Sequence, residues 1–289
     1  MTDGTLPRLL KHRGAAAGLA FLALLSLAAV LAPRLAAFDP AAQSLGAGLS
    51  RASAVHWLGQ DRLGRDILSR LLYGSRISLA VGLGTVALSI VPGLFIGAIS
   101  GFAGGKVDAL FMRLCDLLLA FPGLLLAIAI TAVLGPSPWH VILALSILGW
   151  VGYARLIRGQ VRKVRESEFV QAARSVGVSP GRQLVRHVLP NALSPLIVEA
   201  TFGIGRAVVS EAGLSFLGLG VSPPTPSWGA MIAEGRHFLF IAPHLTLAPG
   251  LAIMLTVMAF NFVGDGLRDA MDVRDPGVEG TATSARDGR

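Results

Sequence analysis

The feature that most constrains this chain is a set of long stretches that contain no Asp, Glu, Lys or Arg. They cover residues 14–33, 77–105, 117–154 and 245–264. A helix needs about 20 apolar residues to cross roughly 30 Å of hydrocarbon, so each stretch is long enough to span a membrane. The third is long enough for two helices, separated by the turn Gly135-Pro136-Ser137-Pro138. The chain is therefore predicted to be a membrane protein.

A further span is predicted at residues 192–214, which are less apolar, so the fold class is an all-α polytopic membrane protein with six transmembrane helices. The composition agrees, because 53% of the residues are hydrophobic and only 15% are charged. We expect one transmembrane domain, residues 14–276, between a cytoplasmic N-terminus and a disordered cytoplasmic tail. Its predicted parts are the first span 14–37, an outer segment 38–76 and core spans 77–265 with a loop at 155–190, and the flanking termini are 1–13 and 277–289.

Basic residues are distributed unevenly between the two sides of this arrangement. Seventeen lie on the side of both termini and the 155–190 loop, and seven lie on the other side. Because loops rich in Lys and Arg tend to stay in the cytoplasm, we expect both termini to be cytoplasmic. The net charge of +8 is then a consequence of membrane topology, and nucleic acid is not an expected partner.

The loop at residues 155–190 carries eight basic and two acidic residues and the signals of two short helices. Ser167 is a suitable N-cap for the first helix, and Gly177 is a natural left-handed stop. Ser179-Pro180 predicts the start of a second helix, which Leu189-Pro190-Asn191 is expected to interrupt. On charge alone, a basic loop held near anionic lipid is an alternative interpretation, whereas the flanking spans disfavour a DNA-reading helix pair.

The run Glu168-Phe-Val-Gln171-Ala172-Ala173-Arg-Ser-Val-Gly177, followed downstream by Leu189-Pro190, resembles the EAA loop of ATP-binding-cassette importer permeases. Gln171 stands where that family usually has Glu. The resemblance implies a docking surface for the ATPase subunits. Ala172 and Ala173 would permit close approach, Arg174 would offer a charge and Gly177 would turn the chain. The residues expected to carry coupling are Gln171, Ala172, Ala173, Arg174, Ser175, Val176, Gly177, Val178 and Ser179.

Three further runs resemble the dipeptide, oligopeptide and nickel permease family, in its C-type subunit. They are HWLGQDRLGRDILSRLLYGSR at 56–76, EAGLSFLGLG with PPTPSWG between 211 and 229, and NFVGDGLRDAMD at 261–272. The resemblance implies a bacterial plasma (inner) membrane location and half of a translocation pathway. The implied partners are a B-type permease subunit, two ATP-binding-cassette ATPase subunits, an extracytoplasmic substrate-binding protein and membrane lipid. Di- or oligopeptides are favoured as cargo over nickel complexes or other peptide-like solutes.

The outer segment has apolar residues at helical spacing from Leu63 onward, with Arg62, Arg65 and Arg70 on the other face. This pattern predicts an outer interfacial helix whose arginines reach lipid headgroups or an acidic partner. An anchor for the second span is an equally open interpretation.

The prolines at 223–226 block helix formation, so the chain is expected to turn across the outer surface after the fifth span. Trp228 suits the aromatic belt at the membrane interface. A docking site for a substrate-delivering protein and simple packing against lipid are both open for this turn.

Three charged residues lie within the fifth span, where hydrocarbon penalises them unless they face water or the bundle interior. Glu199 and Arg206 are seven residues apart and share a helical face, and Glu211 lies nearer the outer end. They are candidates for a charged strip along the translocation pathway, with mutual neutralisation during folding as the competing interpretation. Asp116 is a weaker candidate for a further partner.

Glycines at 93, 97, 101 and 105 have the four-residue spacing that gives a smooth ridge on the second span. The ridge predicts close helix packing, and sliding during alternating access is a further hypothesis.

Several activities are disfavoured by what the sequence lacks. The only Gly-Lys pair, Gly105-Lys106, is followed by Val107, so there is no Gly-x4-Gly-Lys-Ser/Thr phosphate loop. The six histidines form no His-Glu-x-x-His pair, and Cys115 is the single cysteine. We therefore expect a transport subunit with no catalytic residues, metal site or cofactor. A channel is the rival class, but a pore needs no docking loop for an ATPase.

Overall fold

The computed structural model describes residues 5–271, which form an almost entirely helical bundle. Within these residues, β-structure is limited to one isolated bridge between Gln60 and Asp66, so the predicted all-α class is confirmed. The tail predicted at 277–289 lies outside the described residues. The α-helices are α1 (Thr5–Lys11), α2 (Arg13–Val30), α3 (Ala32–Leu35), α4 (Ile67–Ala103), α5 (Gly105–Leu119), α6 (Gly123–Leu134), α7 (Pro138–Arg165), α8 (Glu168–Ser175), α9 (Pro180–Arg182), α10 (Leu189–Ala192), α11 (Ser194–Phe216), α12 (Trp228–Gly235) and α13 (His244–Met271). Short 3₁₀-helices lie at Leu45–Ala47 and Arg236–Phe238, and a π-helix lies at Gln183–Val188.

Four helices, α2, α4, α7 and α13, are long and apolar enough to cross a membrane. Two bent pairs each have the length and composition of one more span. The pair α5 and α6 is bent by 75°, and the segment Pro180–Ala192 meets α11 at 52°. The described residues thus supply up to six spans, as the sequence predicts.

The bend between α5 and α6 interrupts a stretch that the sequence predicts as one continuous span. Pro122 is the N-cap of α6 and has no backbone N–H, so it cannot continue the hydrogen-bond ladder of α5. With 12 residues, α6 is about 18 Å long, too short to cross roughly 30 Å of hydrocarbon alone.

The glycine ridge of α4 packs directly against α7. A Cβ atom at Gly97 would lie 2.4 Å from the carbonyl oxygen of Ala154, and one at Gly101 would lie 2.7 Å from that of Arg158. Gly93 is equally crowded, so close packing is confirmed for three of the four glycines. Gly105 is not part of the ridge, because it begins α5 with a φ of +55°.

The helices run between two ends of the bundle, which we call the loop end and the opposite end. At the loop end, the end of α7 meets the end of α4, where Arg165 donates a hydrogen bond to the Phe102 carbonyl. The loop end also carries α8 and the start of α11. At the opposite end, residues 36–66 and 217–243 cover the start of α4, where the Trp228 indole donates to the Leu71 carbonyl at 3.1 Å.

The predicted outer interfacial helix is not a separate element. The helical part, from Ile67 onward, is the first section of α4, with Asp66 as N-cap accepting from the Ser69 N–H at 2.7 Å. Arg65 and Arg70 do not reach outward as predicted. Their side chains are 3% and 2% exposed, because Asp61 and Glu234 of the same chain neutralise them. Arg62 is exposed, and the helical part of the segment is continuous with the second span, as the anchor interpretation expects.

The prediction of a surface position for Trp228 is also wrong. Trp228 is 1% exposed and begins α12, which packs against α11 and α13. The turn containing the prolines at 223–226 is non-helical, as predicted.

The second helix of the basic loop does not stop at Leu189-Pro190-Asn191. The chain is π-helical from Gln183 to Val188, α10 continues to Ala192, and the break comes at Leu193. Pro190 is the second residue of α10, directly after the π-helical turn.

Candidate coupling surface

The first helix of the basic loop, α8, begins directly after Ser167, as predicted. Its hydroxyl does not cap the helix but donates backward to the carbonyl of Val164, the last turn of α7, at 2.6 Å. Val170 is the buried residue of α8, with 2% exposure, and it packs in the main core cluster with Val161 and Val188. The loop is thus fixed to the bundle by apolar contacts from both of its helical arms.

Gly177 ends α8 with a φ of +81°, the left-handed conformation that the sequence predicts. The Gly177 N–H donates to the Arg174 carbonyl at 3.0 Å, and the Val178 N–H donates to the Ala173 carbonyl at 3.1 Å. These two bonds form a Schellman motif, which satisfies carbonyls that the helix end would otherwise leave unpaired. A Cβ atom at Gly177 would meet no atom within 4 Å, so backbone conformation, not space, requires glycine here.

Gln183 holds the turn from the second arm, a role that sequence reasoning missed. Its side-chain amide donates to the Val178 carbonyl at 2.5 Å, and the residue is only 7% exposed. Ser179 is the N-cap of α9, as predicted, although its side chain makes no capping bond. The signal for Gln183 was its position four residues after Ser179, on the face of the helix that turns back toward α8.

The residues of α8 divide between two faces. Phe169 and Val176 are 49% and 81% exposed, and with the exposed Ala172 they form an apolar stripe at helical spacing. Gln171, Arg174 and Ser175 lie on a different face, where they line a cleft against the ends of α4 and α7. The sequence-predicted coupling residues are therefore brought together in one short segment, but not on one face.

Ion pairs connect α5 to the part of α7 that begins the basic loop. Asp108 is 13% exposed, accepts from Arg158 Nη2 at 2.6 Å and lies 3.7 Å from Arg162. The Ser100 hydroxyl of α4 donates to the same carboxylate at 2.5 Å. Asp116 pairs with Arg155 two turns further along α5, at the surface. This finding identifies the partner of Asp116, which is on α7 and not in the fifth span.

The three charged residues of α11 separate into two environments. Glu199 and Arg206 form an ion pair, so their predicted shared face is confirmed. Their side chains are 39% and 61% exposed. Glu211 does not extend this strip, because it is fully buried and accepts from Ser215 at 2.7 Å and from Ser227 at 2.9 Å.

A family model described as "Binding-protein-dependent transport system inner membrane component" matches residues 93–274, which is more than half of the chain. The chain belongs to this family. A second model, the N-terminal TM domain of oligopeptide transport permease C, matches residues 4–51 of this inner membrane component.

Curated relatives align with most of this inner membrane component. The dipeptide transport system permease protein DppC of Alkalihalophilus pseudofirmus is 44% identical over 92% of this chain and 87% of the relative. The di/tripeptide transport system permease protein DppC of Pseudomonas aeruginosa is 43% identical over 90% and 88%. The glutathione transport system permease protein GsiD of Escherichia coli O157:H7 is 48% identical over 78% and 74%.

The fold of this inner membrane component is similar to that of a solved ABC transporter. Two crystal forms of the MetNI methionine ABC transporter, in inward facing conformations, align with TM-scores of 0.58 and 0.59. They cover 70% and 71% of this chain and 96% and 97% of the matched chain, at 18% and 19% identity. The permease fold and the assignment as a membrane transport subunit, expected from the sequence resemblance, are confirmed.

A buried charge cluster at the opposite end of this inner membrane component was not anticipated from its sequence. Arg65 donates to Asp61 at 2.6 Å, and Arg70 lies 3.2 Å from Asp61 and 3.1 Å from Glu234. Glu234 belongs to α12, so the cluster ties that helix to the outer segment and to α4. The alternation of Asp and Arg from residue 61 onward was the available signal, but the contribution of Glu234 depends on tertiary contact.

Proposed function

We propose that this chain is one of two permease subunits that form the translocation pathway of an importer for di- or oligopeptides. A B-type permease would supply the other half, a binding protein would deliver the peptide, and two ATPases would drive transport. The names of the curated relatives, two peptide permeases and one glutathione permease, support a peptide-like cargo.

The observation that supports coupling most directly is the geometry of α8. The helix is short, fixed to the bundle through Val170 and closed by the Schellman turn at Gly177. Its apolar stripe of Phe169, Ala172 and Val176 faces away from the bundle, which is unfavourable in water unless another protein covers it. We assign the ATPase contact to this stripe, together with the turn from Gly177 to Ser179.

The ATPase contact can be tested with one substitution that places a charge in the proposed interface of the complete complex. Val176→Asp should weaken retention of the ATPase subunits during purification, because docking would bury an unpaired carboxylate. Val185→Asp is the matched control, since Val185 is 66% exposed on the other arm of the same loop. Equal ATPase retention in both variants would contradict the assignment of the stripe.

The loop end is proposed to be cytoplasmic, as are both termini. In a Cys115→Ala background, a membrane-impermeant maleimide added to intact spheroplasts should label Val55→Cys and not Val176→Cys. Both positions are exposed and lie at opposite ends of the bundle, whereas the native Cys115 is buried. Labelling of Val176→Cys from outside would invert the topology.

Cargo is tested by uptake into proteoliposomes that contain the complete complex and its binding protein. We expect ATP-dependent accumulation of defined di- and oligopeptides. Glutathione is a second candidate because a 48% identical relative is named for it. Saturation by a nickel chelate alone would overturn the peptide assignment, and solute conduction by this chain without ATPases would overturn the importer.

A further inference from the structure

The cleft between the basic loop and the bundle has the chemistry of a site for a phosphate group. Its volume is about 480 Å³, and it lies between α8 and the ends of α4 and α7. Arg162, Arg165 and Arg174 line it, against one carboxylate, Glu166. Guanidinium groups match phosphate oxygens in a planar, bidentate geometry.

Two contacts show how the cleft is held open and how its charge is oriented. Arg165 Nη1 donates to the Phe102 carbonyl at 2.5 Å, which keeps its guanidinium beside the end of α4. Gly101 and Gly104 line the α4 side of the cleft. Arg162 is 54% exposed and lies 3.7 Å from Asp108, a distance that leaves most of its donors available.

The position of the cleft indicates which kind of anion can reach it. It lies where the charge-free stretch of α4 ends, which is the depth of lipid headgroups for a spanning helix. Gln171, Arg174 and Ser175 face this cleft, whereas Phe169, Ala172 and Val176 do not line it. An ATPase docked on the apolar stripe would therefore leave the cleft unoccupied, at a depth that lipid headgroups can reach.

We propose that this cleft binds the phosphate group of an anionic phospholipid, with Arg165 and Arg174 as its principal ligands. The bound headgroup bridges α8 to the ends of α4 and α7 and so sets the position of the basic loop relative to the membrane. Basic pockets at the ends of spanning helices are favourable sites for anionic headgroups, and each arginine near the surface adds to the attraction. The proposal is independent of the cargo.

The test is native mass spectrometry of the complete transporter, delipidated and titrated with phosphatidylglycerol in phosphatidylcholine. Arg165→Gln with Arg174→Gln should weaken phosphatidylglycerol binding about tenfold or more. The matched control is Arg182→Gln with Arg186→Gln, which removes the same charge from exposed positions of the same loop that do not line the cleft. The control should retain binding within about twofold, and Arg165→Lys with Arg174→Lys should lie between the two, because charge is kept and bidentate geometry is lost.

Three outcomes would overturn the proposal. Equal losses in the cleft and control variants would show attraction to the overall charge of the loop and no defined site. Displacement of phosphatidylglycerol by inorganic phosphate at equal concentration would indicate a soluble anion as the ligand. Loss of ATPase subunits from the cleft variant, with lipid binding unchanged, would indicate an acidic residue of the ATPase as the occupant.

Discussion

The two ends of the bundle use charged residues in different ways. At the opposite end, Arg65 and Arg70 are 3% and 2% exposed and are neutralised inside the chain. At the loop end, Arg155 and Arg162 are 42% and 54% exposed. Buried charges hold their own chain together because separating them leaves an uncompensated ion, whereas exposed charges contribute little to stability and are free to meet a partner. The comparison indicates that the opposite end is built for rigidity and the loop end for contact.

The most severe test of this contrast is removal of the shared carboxylate at the opposite end. Glu234→Gln should lower the free energy of unfolding by roughly 3–5 kcal/mol, because the two buried arginines, Arg65 and Arg70, then share the single carboxylate of Asp61. Thermal unfolding of the detergent-solubilised chain, followed by size-exclusion chromatography, measures the change. Glu168→Gln, an exposed carboxylate of α8, is the control and should have nearly the same midpoint as the native chain. A native-like unfolding midpoint for Glu234→Gln would mean that the charge cluster does not stabilise the fold.

The second test concerns function at the loop end. Gly177→Val forces a β-branched residue into a φ of +81°, at a cost of roughly 1–3 kcal/mol, so the Schellman turn should be replaced by another conformation. We expect membrane insertion to be unchanged, with ATP hydrolysis uncoupled and uptake reduced about tenfold or more. Coupled uptake per ATP hydrolysed in proteoliposomes measures this effect.

The control for Gly177 is Gly181→Val, the same substitution four residues later in α9. Gly181 has open space around its Cβ position and is not among the residues with positive φ. It should keep near-native uptake. Gly177→Asn should fall between the two variants because Asn tolerates the left-handed conformation better than Val. Native uptake by Gly177→Val would remove the turn from the coupling mechanism.

An intermediate effect is expected at Asp108, which lies at the loop end but is only 13% exposed. Asp108→Asn removes the charge that holds Arg158 to α5, and hydrogen bonds to charged groups contribute about 1.5–3 kcal/mol. Asp116→Asn is the matched control on the same two helices, because the Asp116–Arg155 pair is exposed. A double-mutant cycle with Arg158→Gln isolates the pair. Equal destabilisation by both Asp variants would show that burial does not set the value of these pairs.

The contrast between the two ends also separates what the sequence could predict from what it could not. The spans and the turn at Gly177 follow from local signals, namely runs without charge and a glycine after a short helix. The burial of Arg70 could not be read locally, because its partner Glu234 is 164 residues away. The burial of Trp228 could not be read locally either, because its indole contacts the Leu71 carbonyl of α4, 157 residues away in sequence. The bend at Pro122 escaped prediction because it lies within residues 117–134, which carry no charge, whereas the break at Leu193 lies only two residues after the interruption predicted at Leu189-Pro190-Asn191.

The smallest effect on stability is expected at Glu199. Transport by variants of Glu199 and Arg206 decides between the two interpretations of the charged strip. Exposed ion pairs contribute about 0–1 kcal/mol, so Glu199→Gln should leave the unfolding midpoint almost unchanged. If the pair serves only mutual neutralisation, Arg206→Gln together with Glu199→Gln should transport peptide at the native rate. If the pair lines the pathway, the double variant should change the KM or the rate for charged peptides while neutral peptides are unaffected. Uptake of peptides that differ only in net charge, measured in the same proteoliposomes, distinguishes these outcomes, and the unchanged midpoint excludes unfolding as the cause.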